Sequence, residues 1–190
     1  YYDANDGYPA YLFQNDGSGI FTDITEQAGL GQKRFRRSYG ASFVDLNEDG
    51  KFDLLVSSDF AGIDIYEGNG HGMFKEATNG WIDQRHTFGM SHVFADFNTD
   101  GKLDFFSVGM SSTTGRRLEL MGLGRDEHKH IDAMRSSMSY GNRLYFATES
   151  GFEQPSFNDQ VSRTGWSWGC TTFDIDNDAD SDIYVVNGHQ

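Results

Sequence analysis

The chain has 190 residues, of which 29 are acidic and 15 are basic, so its net charge is −14 at neutral pH. This charge argues against nucleic acid and anionic membrane surfaces as main partners, because both require a basic face. No apolar run approaches the length of a transmembrane segment. The 23 glycines and the 15% of aromatic residues favour an all-β fold with short strands and many turns.

The chain starts at Tyr1, without a methionine, and we therefore expect a mature product or a fragment, for which the missing signal peptide has no weight. Cys170 is a single cysteine, so a disulfide within this stretch is excluded. The compartment has to be inferred from other features.

The first predicted element is a hairpin within residues 1–30. A short apolar segment at residue 11 enters a Gly-rich turn and leaves through the aromatic Phe21. The same element returns at residues 65–74 and, more loosely, at residues 144–152. We interpret residues 1–30 as the second half of a propeller blade.

The second repeated element is a nine-residue acidic loop between two short apolar segments. It occurs at residues 45–53, 96–104 and 174–182. One such loop unit and one hairpin together supply four strands, which is the content of a β-propeller blade.

The sequence therefore predicts an all-β fold made of four-stranded antiparallel blades. The predicted units are a half blade at 1–30, blades at 40–80 and 90–158, and a half blade at 166–190. Paired halves would give three blades, fewer than the four or more that close a propeller. We expect an incomplete propeller, which is either part of a larger one or completed by other chains.

One helical insertion is predicted at about residues 111–140, where the spacing between the second and third loops exceeds that between the first two. Ile131, Met134 and Met138 lie at helical spacing, and Asp126 is a candidate cap. A degenerate extra blade is the alternative, but no glycine-punctuated strand pair is visible there.

The acidic loops have the pattern of a calcium site, which needs six to eight oxygen ligands. Side-chain oxygens are expected from positions 1, 3, 5 and 9, and a backbone carbonyl from position 7. The candidate ligands are Asp45, Asn47, Asp49, Lys51 and Asp53; Asp96, Asn98, Asp100, Lys102 and Asp104; and Asp174, Asp176, Asp178, Asp180 and Asp182.

Up to three Ca²⁺ ions are thus predicted, one in each loop. The alternative is a set of acidic β-turns, but turns alone do not require three copies in register. An EF-hand is excluded because position 12 lies in an apparent strand. The third loop has Ala179 where the others have glycine, but its five aspartates are still available as ligands.

The strand, acidic loop and strand units resemble the FG-GAP/VCBS repeats of integrin α-subunit propellers and many secreted bacterial proteins. Residues 15–30, 165–169 and 187–189 resemble the branch of the cartilage acidic protein and ASPIC/UnbV type. The resemblance implies calcium-binding loops and an extracellular, secreted or cell-surface location.

Catalytic and other binding motifs are disfavoured, and no enzyme is predicted. The glycines at 68–72 indicate a hairpin turn, and His128 with His130 lacks the further ligands of a zinc site. A Cys170–His189 nucleophile is less favoured than a buried cysteine. Trp166 and Trp168 are expected in the core, with a sugar-stacking platform as the alternative.

We therefore expect an extracellular calcium-binding scaffold or an interaction module for protein or matrix partners, with self-association through incomplete blades. The alternatives are a carbohydrate-binding or carbohydrate-active enzyme accessory domain, and a subunit of a larger membrane-associated complex docked by residues 111–140.

Overall fold

The computed structural model describes residues 3–123 and 129–188, without the side chains of residues 129–133. Its strands are β1 (Phe13–Asn15), β2 (Phe21–Asp23), β3 (Arg37–Val44), β4 (Asp53–Asp59), β5 (Gly62–Gly68), β6 (Phe74–Glu76), β7 (Gly89–Ala95), β8 (Asp104–Gly109), β9 (Arg143–Thr148), β10 (Gly151–Glu153), β11 (Ser167–Phe173) and β12 (Asp182–Asn187). Its helices are α1 (Thr78–Trp81), α2 (Thr113–Leu120) and α3 (Lys129–Met138).

Two four-stranded antiparallel sheets dominate the structure, in the orders β3-β4-β5-β6 and β7-β8-β9-β10. The pairs β1-β2 and β11-β12 form two-stranded sheets. The predicted fold class, an incomplete propeller of four-stranded antiparallel blades, is confirmed. The blade boundaries assigned from the sequence stay a prediction.

The first strands of successive units lie side by side. Strand β7 packs against β3 on one side and against β11 on the other. A β-bulge interrupts each of these strands six residues before its acidic loop, at Tyr39, Met90 and Trp168. The three units therefore repeat in backbone detail as well as in sequence.

The hydrophobic core lies between the stacked sheets and has two parts. Phe105 packs with Leu55 and Tyr145 in the core that the first four-stranded sheet shares with the second. Its neighbour Phe106 packs with Leu144 in a separate core, toward β11 and β12. This division follows from the strand geometry, because adjacent side chains of β8 point to opposite faces.

Helices α2 and α3 lie between β8 and β9 and contact each other, so the predicted helical insertion is confirmed. The hydroxyl of Ser112 accepts a hydrogen bond from the Gly115 amide (3.2 Å) and caps α2. Met138 is fully buried. Asp126, the predicted cap of the other helix, lies outside the described residues. No helix within residues 3–123 and 129–188 is both long and apolar enough to cross a membrane.

A buried ion cluster connects the N-terminal segment to the first four-stranded sheet. Asp64, on β5, is 1% exposed. Its carboxylate lies 2.6 Å from Lys33, 2.8 Å from Arg36 and 3.2 Å from Arg85. Asp3 contacts the same two arginines at 2.9 and 2.7 Å. This cluster fixes the N-terminal segment on the sheet.

Candidate metal sites

The three acidic loops share one backbone fold. In the first loop, the carboxylate of Asp45 accepts hydrogen bonds from the amides of Asp49 (3.0 Å) and Gly50 (2.8 Å). The equivalent pair of contacts is made by Asp96 in the second loop and by Asp174 in the third. The first carboxylate of each repeat thus closes its loop.

Left-handed backbone angles occur at positions 4 and 6 of every loop. The six residues are Glu48, Gly50, Thr99, Gly101, Asn177 and Ala179. Ala179 has φ +76° at the position where the other two loops have glycine. The third loop keeps the shared conformation although alanine disfavours this angle.

The carboxylate at position 9 ties each loop to its neighbouring backbone. Asp53 accepts hydrogen bonds from the amides of Leu46 (3.1 Å) and of Gly68 (2.9 Å), which lies on β5. Asp104 makes both equivalent contacts, the second to β9, and Asp182 makes the first of them. A carboxylate has about four lone-pair sites, so two remain for a cation.

Asp53 and Asp104 are buried carboxylates without a cationic partner. They are 1% and 0% exposed, and among the residues that the structure describes neither forms an ion pair. Burial raises the pKa of both carboxyl groups, and the other carboxylates of the same loop add to the effect. Since an unpaired buried charge is costly, a cation in the loop would stabilise these residues.

The third loop brings three predicted ligands together. Carboxylate oxygens of Asp174, Asp176 and Asp182 lie within 4.8 Å of one another, close enough to share one metal ion. Repulsion from Asp178 is the main cause that raises the pKa of Asp180. The loop that departs most from the shared sequence therefore has a compact donor set.

In the first two loops the position-5 carboxylate has a local partner. The Lys51 ammonium lies 2.8 Å from the carboxylate of Asp49, and the Asn98 amide donates to Asp100 at 3.1 Å. The carbonyl ligands expected from position 7 stay a prediction, as does the ligand set as a whole.

The donor set fits a hard divalent cation, because it consists of carboxylate and amide oxygens without sulfur or imidazole. Ca²⁺ prefers such oxygens and accepts irregular coordination. The sequence indicated these residues as ligands. The sequence did not reveal that Asp53 and Asp104 also accept a hydrogen bond from the third strand of their sheets, β5 and β9. Their regular spacing was the visible signal.

The other candidates from the sequence have structural surroundings. Residues 68–72 turn between β5 and β6. Cys170 is only partly buried, not fully buried as expected, and this burial raises the pKa of its thiol to about 11. Trp166 and Trp168 are 55% and 45% exposed in the described part of the chain. The expectation that they pack in the core is therefore wrong. His189, His128 and the side chain of His130 lie outside the described residues.

Comparisons with known proteins agree with the repeat pattern. Residues 45–107 match the FG-GAP-like repeat. The chain is 29% identical to cartilage acidic protein 1 of Xenopus tropicalis over 135 residues, which cover 65% of this chain and 19% of the relative. The chain thus aligns with about a fifth of that relative's length, and the resemblance inferred from the sequence is confirmed.

Proposed function

Since residues 45–107 form an FG-GAP-like repeat region, we propose that the chain is a non-enzymatic, calcium-binding β-propeller module. It acts outside the cell as a structural scaffold and as an interaction domain for protein or matrix partners. Calcium concentrations there are high enough to fill loop sites of modest affinity, with dissociation constants of about 10⁻⁴ to 10⁻³ M.

The observation that carries this proposal is the burial of Asp53 and Asp104 without a cationic partner among the described residues. An ion held by each loop would neutralise these carboxylates and those at positions 1 and 5. The ion supplies structural charge compensation and no catalytic step. Each of the resulting rigid loops connects the first two strands of its unit, where it would present a fixed surface.

Calcium titration by calorimetry, together with thermal melts in calcium and in chelator, tests this proposal. We expect saturable binding near three ions per chain and a large rise in melting temperature. No binding and no thermal shift would contradict it, and the loops would then be acidic turns.

Asp176→Ala is the sharpest variant, because Asp176 belongs to the carboxylate group of the third loop. It should weaken or remove one binding event and leave the others. The control is Asp83→Asn, an exposed aspartate outside the loops, which should bind calcium like the wild type. Equal binding by both variants would exclude the third loop as a site.

Partner binding through the chain ends is the self-association form of this proposal. Strands β1 and β12 belong to two-stranded sheets in the described part of the chain, and open strand edges pair readily with other strands. Sedimentation across a wide concentration range in calcium tests it. A strictly monomeric chain would remove its support.

A carbohydrate-binding module is the second candidate, and the exposure of Trp166 and Trp168 favours it. Exposed aromatic faces suit stacking against sugar rings. Retention on a glycan array that is lost in the Trp166→Ala/Trp168→Ala double variant would support it. Absence of binding to every glycan would exclude it.

A further inference from the structure

A pocket of about 300 Å³ lies beside the helical insertion, away from the acidic loops. Its charged lining comes from Arg116 and Glu119 of α2, Arg143 of β9, and Arg163. Three guanidinium groups and one carboxylate leave an excess of two positive charges.

Arg143 is the buried centre of this pocket, with 4% of its surface exposed. Its guanidinium donates to the side chain of Gln154 and to the backbone carbonyl of Ser137, both at 2.8 Å, and lies 4.4 Å from the ring centre of Tyr140. All these partners are uncharged. Its Nε is buried and has no hydrogen-bond acceptor among the described residues.

Comparison with Arg36 shows that Arg143 lacks a carboxylate partner among the described residues. Arg36 is equally buried, at 5% exposed, and contacts the carboxylates of Asp3 and Asp64. Within the part of the chain that the structure describes, Arg143, Arg116 and Arg163 form no ion pair. A buried cation without a counter-charge is costly, so an anion at this position would stabilise the pocket.

We propose that this pocket binds a doubly charged tetrahedral oxyanion, a sulfate or phosphate group, either as the free ion or as an ester carried by a larger molecule. Arginine suits this role because its planar guanidinium presents several donors to an oxyanion. Arg143 lies at the buried floor, and the exposed Arg116 and Arg163 lie at the rim, where they can close on the ligand. The charge of such a dianion matches the excess of the lining.

Calorimetry at constant ionic strength in chloride, with the protein in calcium, tests the proposal. The titrants are sodium sulfate, sodium phosphate and a sulfated disaccharide. Binding is measured directly because sulfate raises the thermal stability of most proteins by a general solvent effect. Saturable binding of at least one titrant is expected, and none by any of them would overturn the proposal.

The Arg116→Gln/Arg163→Gln double variant removes the two exposed charges without altering the core. We expect its affinity to fall about tenfold or more, since two charge-assisted contacts to the anion are lost. The control is Lys75→Gln, an exposed cation on β6, which should bind like the wild type. Unchanged affinity in the double variant would overturn the proposal.

Arg143→Lys keeps the buried charge but loses the planar donor set, and we expect it to weaken binding severalfold while its melt in calcium reports that it folds. Tighter binding of the disaccharide than of free sulfate identifies an ester on a larger molecule. If free sulfate or phosphate binds as tightly as the disaccharide or more tightly, the ligand is the free ion. Either result supports the pocket when the double variant weakens the binding of that titrant.

Discussion

Ala179 has a left-handed backbone angle at the position where Gly50 and Gly101 stand in the other loops. A non-glycine residue in this region costs roughly 1 kcal/mol. The third loop tolerates this cost because its backbone hydrogen bonds to Asp174 are complete. The strain is thus local to one residue and should be removable by one substitution.

We expect Ala179→Gly to stabilise the folded chain by up to about 1 kcal/mol, measured by urea unfolding in calcium. The matched control is Gly101→Ala in the second loop. A Cβ at Gly101 would meet no atom within 4 Å, so this variant reports the backbone angle alone. It should destabilise by a similar amount, and a neutral result for both variants would contradict the strain.

His92 should make the stability of the chain depend on pH. Burial lowers the pKa of His92 to about 4 from the ordinary value of 6.5, and its ring nitrogens bond the hydroxyls of Ser57 and Ser42, both at 2.8 Å. Between these pH values the unfolded chain binds a proton that the folded chain does not. The stabilisation is therefore complete above pH 6.5 and decreases as the pH falls toward 4.

At pH 5 the loss from His92 should be about 2 kcal/mol, obtained by comparing urea unfolding of the wild type and of His92→Gln at pH 7 and pH 5. An NMR titration of the imidazole should show the low pKa directly. His71→Gln, in the exposed turn between β5 and β6, should keep the wild-type pH dependence. An ordinary pKa at His92 would refute the prediction.

The sequence predicts single residues well where their partners are close along the chain. Asp45 bonds residues four and five positions away, so the spacing of the loop already contains its geometry. Arg143 is different, because its burial depends on α3 and on the segment around Gln154, which meet only in the folded chain. Charge patterns alone could not distinguish it from a surface arginine.

Strand β8 shows how one element joins two neighbouring sheets. All six of its residues, Asp104–Gly109, are buried. Phe105 stacks on Tyr145 at 4.4 Å between ring centres and meets the edge of Phe152 at 4.9 Å, whereas Phe106 packs on the other side. By contrast, Phe43 on β3 is 50% exposed although it also lies in a four-stranded sheet.

Phe105→Ala should therefore destabilise the chain by about 3–5 kcal/mol in urea unfolding, because it leaves a cavity among aromatic rings. Phe43→Ala is the matched control, and we expect a loss of about 1 kcal/mol or less from its half-exposed ring. Similar losses for both variants would mean that Phe43 on β3 contributes as much packing as Phe105 does in the core between the two sheets.

The N-terminal segment is held by the ion cluster around Asp64, and this contact can be tested at the level of the element. Asp64→Asn leaves Arg36 buried with one carboxylate fewer, so we expect a loss of about 3–5 kcal/mol in chemical unfolding. Asp6→Asn removes an exposed pair with Arg37 and should cost about 1 kcal/mol or less. Equal effects would show that burial of the cluster does not matter.

Secondary-structure elements can be predicted from this sequence where the sequence pattern repeats. The four strands of each complete sheet are predicted by the loop and hairpin repeats, and the helical insertion by the larger spacing before the third loop. The bulges at Tyr39, Met90 and Trp168 were not predicted, because their residue types differ and only the backbone register reveals them.

At the scale of the whole molecule, the net charge of −14 opposes folding, and part of it is concentrated in three loops. The ion pairs of the described residues leave Asp53 and Asp104 uncompensated. Either calcium in the loops or screening by dissolved salt can reduce this repulsion. Once one of them has reduced the repulsion, the other should therefore stabilise the folded chain less.

We expect the melting temperature in chelator to rise by several degrees between about 0.05 and 1 M NaCl, over which the Debye length falls from more than 10 Å to about 3 Å. In saturating calcium the same salt series should have less than about half this effect, because bound ions have already neutralised the loops. Choline chloride in place of NaCl is the control, since it screens charge without offering a small cation to the sites. If the melting temperature rises equally with salt in calcium and in chelator, calcium does not relieve the repulsion in the loops. The regular spacing of the carboxylates would then reflect only the geometry of acidic turns.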